Sequence, residues 1–390
     1  MRDKMIVLSL LACVVLAACD SGPMREEVPP ATSALPSAAE DLRLGVDQGP
    51  EELMFGHISD LAVGADGEIY IADEQAVVIR AFDRSGRYLG EIGNHGQGPG
   101  EYTRIDSIKV LPDGAVVVLD RPNGRVSNFR PGGDFDSSFQ PVGGPGGRDS
   151  LQVDVAGNVY VLGRDPARSH WRASALFRYT NGAENGSVAV PLEEPIPDPG
   201  FVVLHPLGEL EPFTIATRSA WNPLGFLVVG RNDEYRLEAR SPGGPVFLER
   251  DVEAVALGAE ERLQWEALAD FIVVRGEALG FNVTRVVIPD TKPFFAGVFA
   301  ASDGRVWIRR YVEAIRTPPA PHFGNPDRPP VTWVEAPAFD VFEPDGRFLG
   351  TVTLPMNTRP FVFGEAAIWG VQTNDAGVEQ VVRLRLSGLR

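Results

Sequence analysis

Asp73 and Asp120 stand 47 positions apart, and each ends a short apolar run. Further along the chain, comparable runs end at Arg164, Arg231, Arg310 and Gln372. Glu74, His95, Arg121, Asp165 and Arg309 lie beside these positions. Carboxylates gathered on one side and guanidinium groups on the other would hold a zwitterionic or anionic ligand, or a charged protein, because Arg forks match carboxylate and phosphate oxygens. A competing role is local: short carboxylates accept bonds from turn backbone, which would leave the arginines as solvated rim charges. The candidate ligand face is therefore Asp73, His95, Asp120, Arg121, Arg164, Asp165, Arg231, Arg309 and Arg310.

Other chemistries fail their context. The five histidines, His57, His95, His170, His205 and His322, show no spacing that would bring two of them to one metal. The glycine-rich stretch from Gly93 to Glu101 invites a phosphate reading, but it lacks the Lys-Ser/Thr ending of a P-loop and opens no helical pattern. No Ser lies in a Gly-x-Ser-x-Gly elbow. No catalytic residue is assigned. Asp60, Asp106 and Asp120 could point inward around an ion, so Ca²⁺ is the one cofactor to look for, and otherwise none is expected.

The elements that must position these residues come from an internal repeat. Sliding 56–102 by 47 residues lays Ile58 on Ile105, Val63 on Val110, Asp66-Gly67 on Asp113-Gly114, Ile71 on Val118 and Phe82 on Phe129. Each unit alternates like four half-buried strands separated by turns, which describes one propeller blade. Looser copies follow around Asp154–Val161, Phe226–Ala239, Ser302–Ile308 and Ala367–Leu386. This predicts an all-β fold: a six-bladed β-propeller of four-stranded antiparallel blades over 43–390, with one short helical insertion at 259–276. A second insertion, 311–332, is rich in Pro and carries Arg316, His322 and Arg328. The sixth unit lacks its outer strand, so 41–46 is expected to supply it and close the ring. Tyr70, Tyr160, Trp307 and Trp369 share one place in strand two and read as a core layer.

The N-terminus sets the compartment. Arg2 and Lys4 precede an uncharged apolar run, 5–18, that is short for a bilayer span and ends Leu16-Ala17-Ala18-Cys19. That pattern resembles a bacterial lipobox, with 1–18 the lipoprotein signal peptide and Cys19 the acylated residue. Residues 19–42, rich in Pro, Ser and Ala, read as a flexible tether. Cys13 is the only other cysteine, so the mature chain has no disulfide. The net charge of −17 argues against nucleic acid, and against adhesion to anionic lipid beyond the anchor.

The stretch HISDLAVGADGEIYIADEQAVVIRAFDRSGRYLGEIGNHGQGPGEY resembles an NHL repeat. With the lipobox, the whole chain is similar to bacterial six-bladed propeller lipoproteins of NHL type, a group that implies architecture more than activity. The expectation is a cell-envelope protein, lipid-anchored and facing the periplasm, that acts as a binding or scaffold module for a protein, peptide or small ligand. The alternative is a Ca²⁺-dependent lactonase- or lyase-like propeller enzyme.

Overall fold

A computed structural model describes residues 36–144, 150–168, 173–191, 213–280, 283, 285–319 and 327–389. The signal segment, Cys19 and the tether up to residue 35 lie outside the described residues, as do His170, His205 and His322. Period-two alternation in the sequence becomes short strands, because a pleated strand sends successive side chains to opposite faces. The strands form six four-stranded antiparallel sheets, the blades of a six-bladed propeller.

Blade one is Ile58–Val63, Ile69–Asp73, Val78–Phe82 and Tyr88–Ile92. Blade two is Ser107–Val110, Val116–Asp120, Arg125–Phe129 and Phe135–Phe139. Blade three is Leu151–Val153, Val159–Arg164, Ser174–Thr180 and Ala183–Ala189. Blade four is Thr217–Asn222, Phe226–Arg231, Arg236–Ser241 and Gly244–Glu249. Blade five is Phe295–Ala300, Val306–Arg310, Ala338–Phe342 and Phe348–Thr353. Blade six is Thr358–Phe363, Ala367–Thr373 and Glu379–Ser387, completed by Ser37–Leu44.

The closing strand is antiparallel, with Ser37 opposite Ser387 and Leu44 opposite Val381. It starts before residue 41, where the sequence placed it, and takes in residues expected in the tether. The reason is packing: Ala38 and Leu42 join the cores on either side of blade six, and Leu44 is buried. Asp41 fastens the strand, accepting bonds from Arg383 at 2.6 and 3.1 Å and a further bond from Arg385. The Arg383 bond is the main cause that holds the Asp41 carboxyl below the usual range.

The apolar cores lie between blades rather than within them. The seam between blades one and two is filled by Ile79, Tyr102, Ile108, Val118 and their neighbours. That between blades six and one holds Ile58, Ile71, Phe82, Trp369 and Val371. The aromatic layer of the second strands is buried as expected, with Tyr70 at 7%, Tyr160 at 4%, Trp307 at 0% and Trp369 at 5% exposure. Burying one such side chain contributes about 1.5–3 kcal/mol.

Strand direction divides the ring into two faces. The turns joining strands one to two and three to four open on one face, where Gly67 (φ 90°) and Gly114 (φ 85°) close the repeated Asp-Gly turns. The blade-to-blade segments and the loops between strands two and three open on the other. Ser37 and Ser387 lie at the turn face, so the chain enters the ring from that side.

The insertions belong to the loop face. The helix Ala259–Ala278 sits in the link from blade four to blade five. The small hairpin of Ile315–Arg316 and Trp333–Val334 sits between strands two and three of blade five. Gln264 on the helix ties the two together: its carbonyl accepts from Thr332 N (2.6 Å) and Trp333 N (2.8 Å), and its amide donates to Trp333 O (3.2 Å). Phe213, from the link between blades three and four, packs against Trp265 (5.6 Å) and Tyr311 (5.3 Å). Leu257 and Ile288 complete this small core. Three excursions of the chain thus form one cap.

Candidate functional site

The two aspartates that opened the sequence reading turn inward. Asp73 is fully buried and accepts bonds from the backbone N–H groups of Gly56, His57, Gln75 and Ala76 at 3.0–3.2 Å. Arg80 Nη1 donates to it at 3.1 Å. Asp120 does the same work one blade later, accepting from Thr103 N (2.8 Å), Asn123 N (3.3 Å) and Asn123 Nδ2 (2.6 Å). Both carboxylates pin the chain entering the first strand to the loop leaving the second. Asp165 is buried and accepts from Ala167 N at 2.9 Å. In blade four the equivalent role falls to Asn232, which accepts from Ala216 N (2.7 Å) and donates to Thr214 O and Phe295 O (both 3.1 Å). These side chains hold the face together and leave little for a ligand to grip.

The remaining predicted residues divide. His95 is exposed in a two-residue parallel bridge with Glu101–Tyr102. Arg121 folds back on Asp106, 3.8 Å away. Arg164 is exposed at the end of its strand. Arg231 is neutralised by Asp233 at 2.7 Å. It lines an open trough of about 340 Å³ with Thr217, Arg236, Arg240 and Phe247. The other arginines there are also occupied, Arg236 by Glu249 (3.1 Å) and by stacking on Phe247 (4.2 Å), and Arg240 by Glu238 (3.1 Å).

Arg309 and Arg310 differ. They end the second strand of blade five, directly under the cap, and Tyr311 follows them. Arg310 Nε lies 3.8 Å from Asp340, too far for a hydrogen bond. Asp340 is fully buried and already accepts from Tyr235 Oη (2.6 Å), Arg250 Nε (2.7 Å) and Thr351 Oγ1 (2.6 Å). That bonding joins blade four to blade five. Among the described residues no carboxylate pairs with Arg309. The sequence reading missed Arg218, in the first strand of blade four, whose Nε is buried without a partner. It lies at the loop-face end of an innermost strand, opposite Gly230, where the alternating pattern of the sequence gave no signal.

Beneath the cap, Lys292 is fully buried and bonds Glu261 (2.8 Å), Glu335 (2.7 Å) and Val312 O (2.9 Å). All three ammonium protons are used, and the cluster bolts the helix and the hairpin to the ring. Burial pushes the Glu335 carboxyl above its ordinary value, against the downward pull of Lys292.

The inward acids are likewise committed. Asp60 bridges blades one and two through Ser107 Oγ (2.9 Å), Ile108 N (2.8 Å) and Lys109 Nζ (3.3 Å). Asp106 accepts from Arg104 Nε (3.0 Å) and Arg121 N (2.9 Å). Among the described residues no group of three or more His, Cys, Asp or Glu is placed to hold a metal ion. The glycine-rich loop is a structural link. Arg125 donates to the carbonyls of Gln97 (3.0 Å), Gly98 (2.7 Å) and Glu101 (2.6 Å), and the Gly98 N–H is taken by Glu101. At Gly93 (φ 69°) a Cβ would come within 2.7 Å of the Tyr102 ring.

Comparison with known proteins agrees with this architecture. A family model described as a 6-bladed beta-propeller matches residues 48–138. No curated protein matches the chain. Among solved structures, a Bacteroides fragilis protein described as exported superposes with a TM-score of 0.51 at 9% identity, covering 91% of this chain and 96% of that one. A Staphylococcus aureus virginiamycin B lyase gives 0.41 at 10% identity, over 88% and 98%. A Xanthomonas campestris gluconolactonase gives 0.39 at 10%, over 84% and 85%. At such identities the likeness is one of fold.

Proposed function

We propose that this protein is a lipid-anchored binding module of the cell envelope, facing the periplasm, that receives a protein, peptide or small ligand on its loop face. The observation that carries the reading is the division of labour between the two faces. The chain enters the ring at the turn face, while three chain excursions meet on the opposite face beside Arg218, with which no carboxylate pairs among the described residues. A lipid on Cys19 would therefore tether the ring through its turn face and leave the cap free toward the periplasm. The stretch from Cys19 to Ser37 spans at most about 60 Å when extended, enough to lift the ring clear of the headgroups. Rigid scaffolds that display loops on one face commonly bind there.

The test has two parts, both in cells. Palmitate labelling should mark the wild-type chain and be lost in Cys19→Ala. Photo-crosslinking side chains at Arg309 and at Arg164, on the loop face, should yield adducts that are absent from positions Asp66 and Asp345 on the turn face. Adducts confined to the turn face would overturn the facing, and an unlabelled wild-type chain would overturn the anchor.

A further inference from the structure

Arg218 and Arg310 crown the same seam. Side chains two apart on a strand share a side. Arg218 therefore shares its side of the first strand of blade four with Ala220, which packs into the core between blades four and five. Arg310 shares its side of the second strand of blade five with Ile308, a member of that same core. Tyr311 follows directly, and its hydroxyl is pushed above its ordinary value first by burial and then by the Glu335 charge, with Arg218 among the charges that pull it back down. Arg309, next to Arg310, shares its side of the strand with Trp307 in the core between blades five and six, so the two guanidinium groups that gather where this seam opens beneath the cap are those of Arg218 and Arg310.

Their neighbours neutralise them only in part. Among the described residues no carboxylate pairs with Arg218, and Arg310 has only Asp340, at 3.8 Å, which already accepts from Tyr235, Arg250 and Thr351. Glu261 and Glu335 are consumed by Lys292. Arg218 Nε, Arg310 Nε and, in the cap, Trp265 Nε1 are buried N–H donors without an acceptor. Buried donors are nearly always satisfied in folded proteins, and each orphan calls for a missing partner. All three orphans here need an acceptor, and none could serve a cation. A local surplus of positive charge in a chain of net charge −17 sharpens the point, since carboxylates to quench it are abundant elsewhere.

We infer that the mouth of the seam between blades four and five, lined by Arg218, Arg310 and Tyr311 under the cap, binds a small organic oxyanion, a carboxylate or a phosphate. The guanidinium groups would take the oxyanion. Trp265, partly exposed in the cap, would lie along the organic part. This rests on the reading of the loop face as the ligand face, and it names the chemistry that face recognises. The trough beside Arg231 is the natural control, because its arginines already have partners.

The experiment titrates the full-length chain in detergent with inorganic phosphate and, separately, with succinate, by calorimetry. Binding of either is expected; phosphate alone would identify a phosphoryl ligand, succinate alone a carboxylate, and both the shared oxyanion. Arg218→Gln should weaken binding about tenfold or more, as loss of a charged hydrogen bond does. Arg310→Gln should act in the same direction, and Arg231→Gln should leave affinity unchanged. Arg218 has no carboxylate to strand, so its variant keeps the test valid even if Arg310→Gln loosens the seam. Binding of neither anion, or equal losses in Arg218→Gln and Arg231→Gln, would overturn the inference. If loop-face crosslinks persist while neither anion binds, the oxyanion chemistry falls and the facing stands.

Discussion

A carboxylate at the end of a strand can face water or turn back on the chain, and Asp73 and Asp120 turn back. Asp73 carries the larger share: it satisfies four backbone donors and neutralises a buried arginine, whereas Asp120 meets only neutral partners. Asp73→Ala should therefore destabilise the fold by about 3–5 kcal/mol, since it strands Arg80. Asp120→Ala should cost about 1–3 kcal/mol. Chemical denaturation of the two variants checks the order, and equal losses would contradict it. The position of these aspartates was readable from the repeat, but their direction was not. Both the ligand role and the capping role put a short carboxylate at the same place, and only the neighbouring N–H groups distinguish them.

At the scale of elements, the cap is held by one buried ion cluster, and its energetics depend on pH. Glu335 has a carboxyl raised by burial, so the native state holds its proton more readily than the unfolded chain. The contribution of this group to stability is then full below the unfolded value and is lost as pH rises through the higher folded one. Relative to Glu335→Gln, the wild type should lose melting temperature as pH rises from about 4 toward neutrality. Melting curves of both chains across that range test the sign; a wild type that gains on the variant would refute it. The helix itself was legible, predicted at 259–276 and found at Ala259–Ala278. Its union with the hairpin was not, because Gln264, Lys292 and Glu335 are far apart in sequence and carry no periodic signal.

For the whole molecule the decisive feature is closure. Ser37–Leu44 covers the outer edge of blade six and adds apolar side chains to two seams. Deleting 37–44 should expose the nine-residue strand Glu379–Ser387 as a free edge. An unpaired edge of that length is a template for another chain. The deleted protein should melt at a lower temperature and associate with increasing concentration, which denaturation and size-exclusion chromatography would detect. A monomer of unchanged melting point would show that the ring does not need its N-terminal strand.

Repetition is a property of sequence, so the 47-residue period, the Asp-Gly turns, the strand-two aromatics and the six-blade count could be read directly from the residues. The need for a closing strand followed from counting, although its start at Ser37 depended on where Ala38 and Leu42 find cores to join. The binding face was divided differently. Which acids are fasteners, and which arginines remain without a partner, are statements about neighbours that the chain brings from other blades. Arg231 and Arg310 look alike in sequence, yet one meets Asp233 two residues away and the other meets a carboxylate already shared by two blades. Local pattern determines strands because backbone geometry is local. The availability of a charge depends on packing across seams, which only the tertiary structure decides.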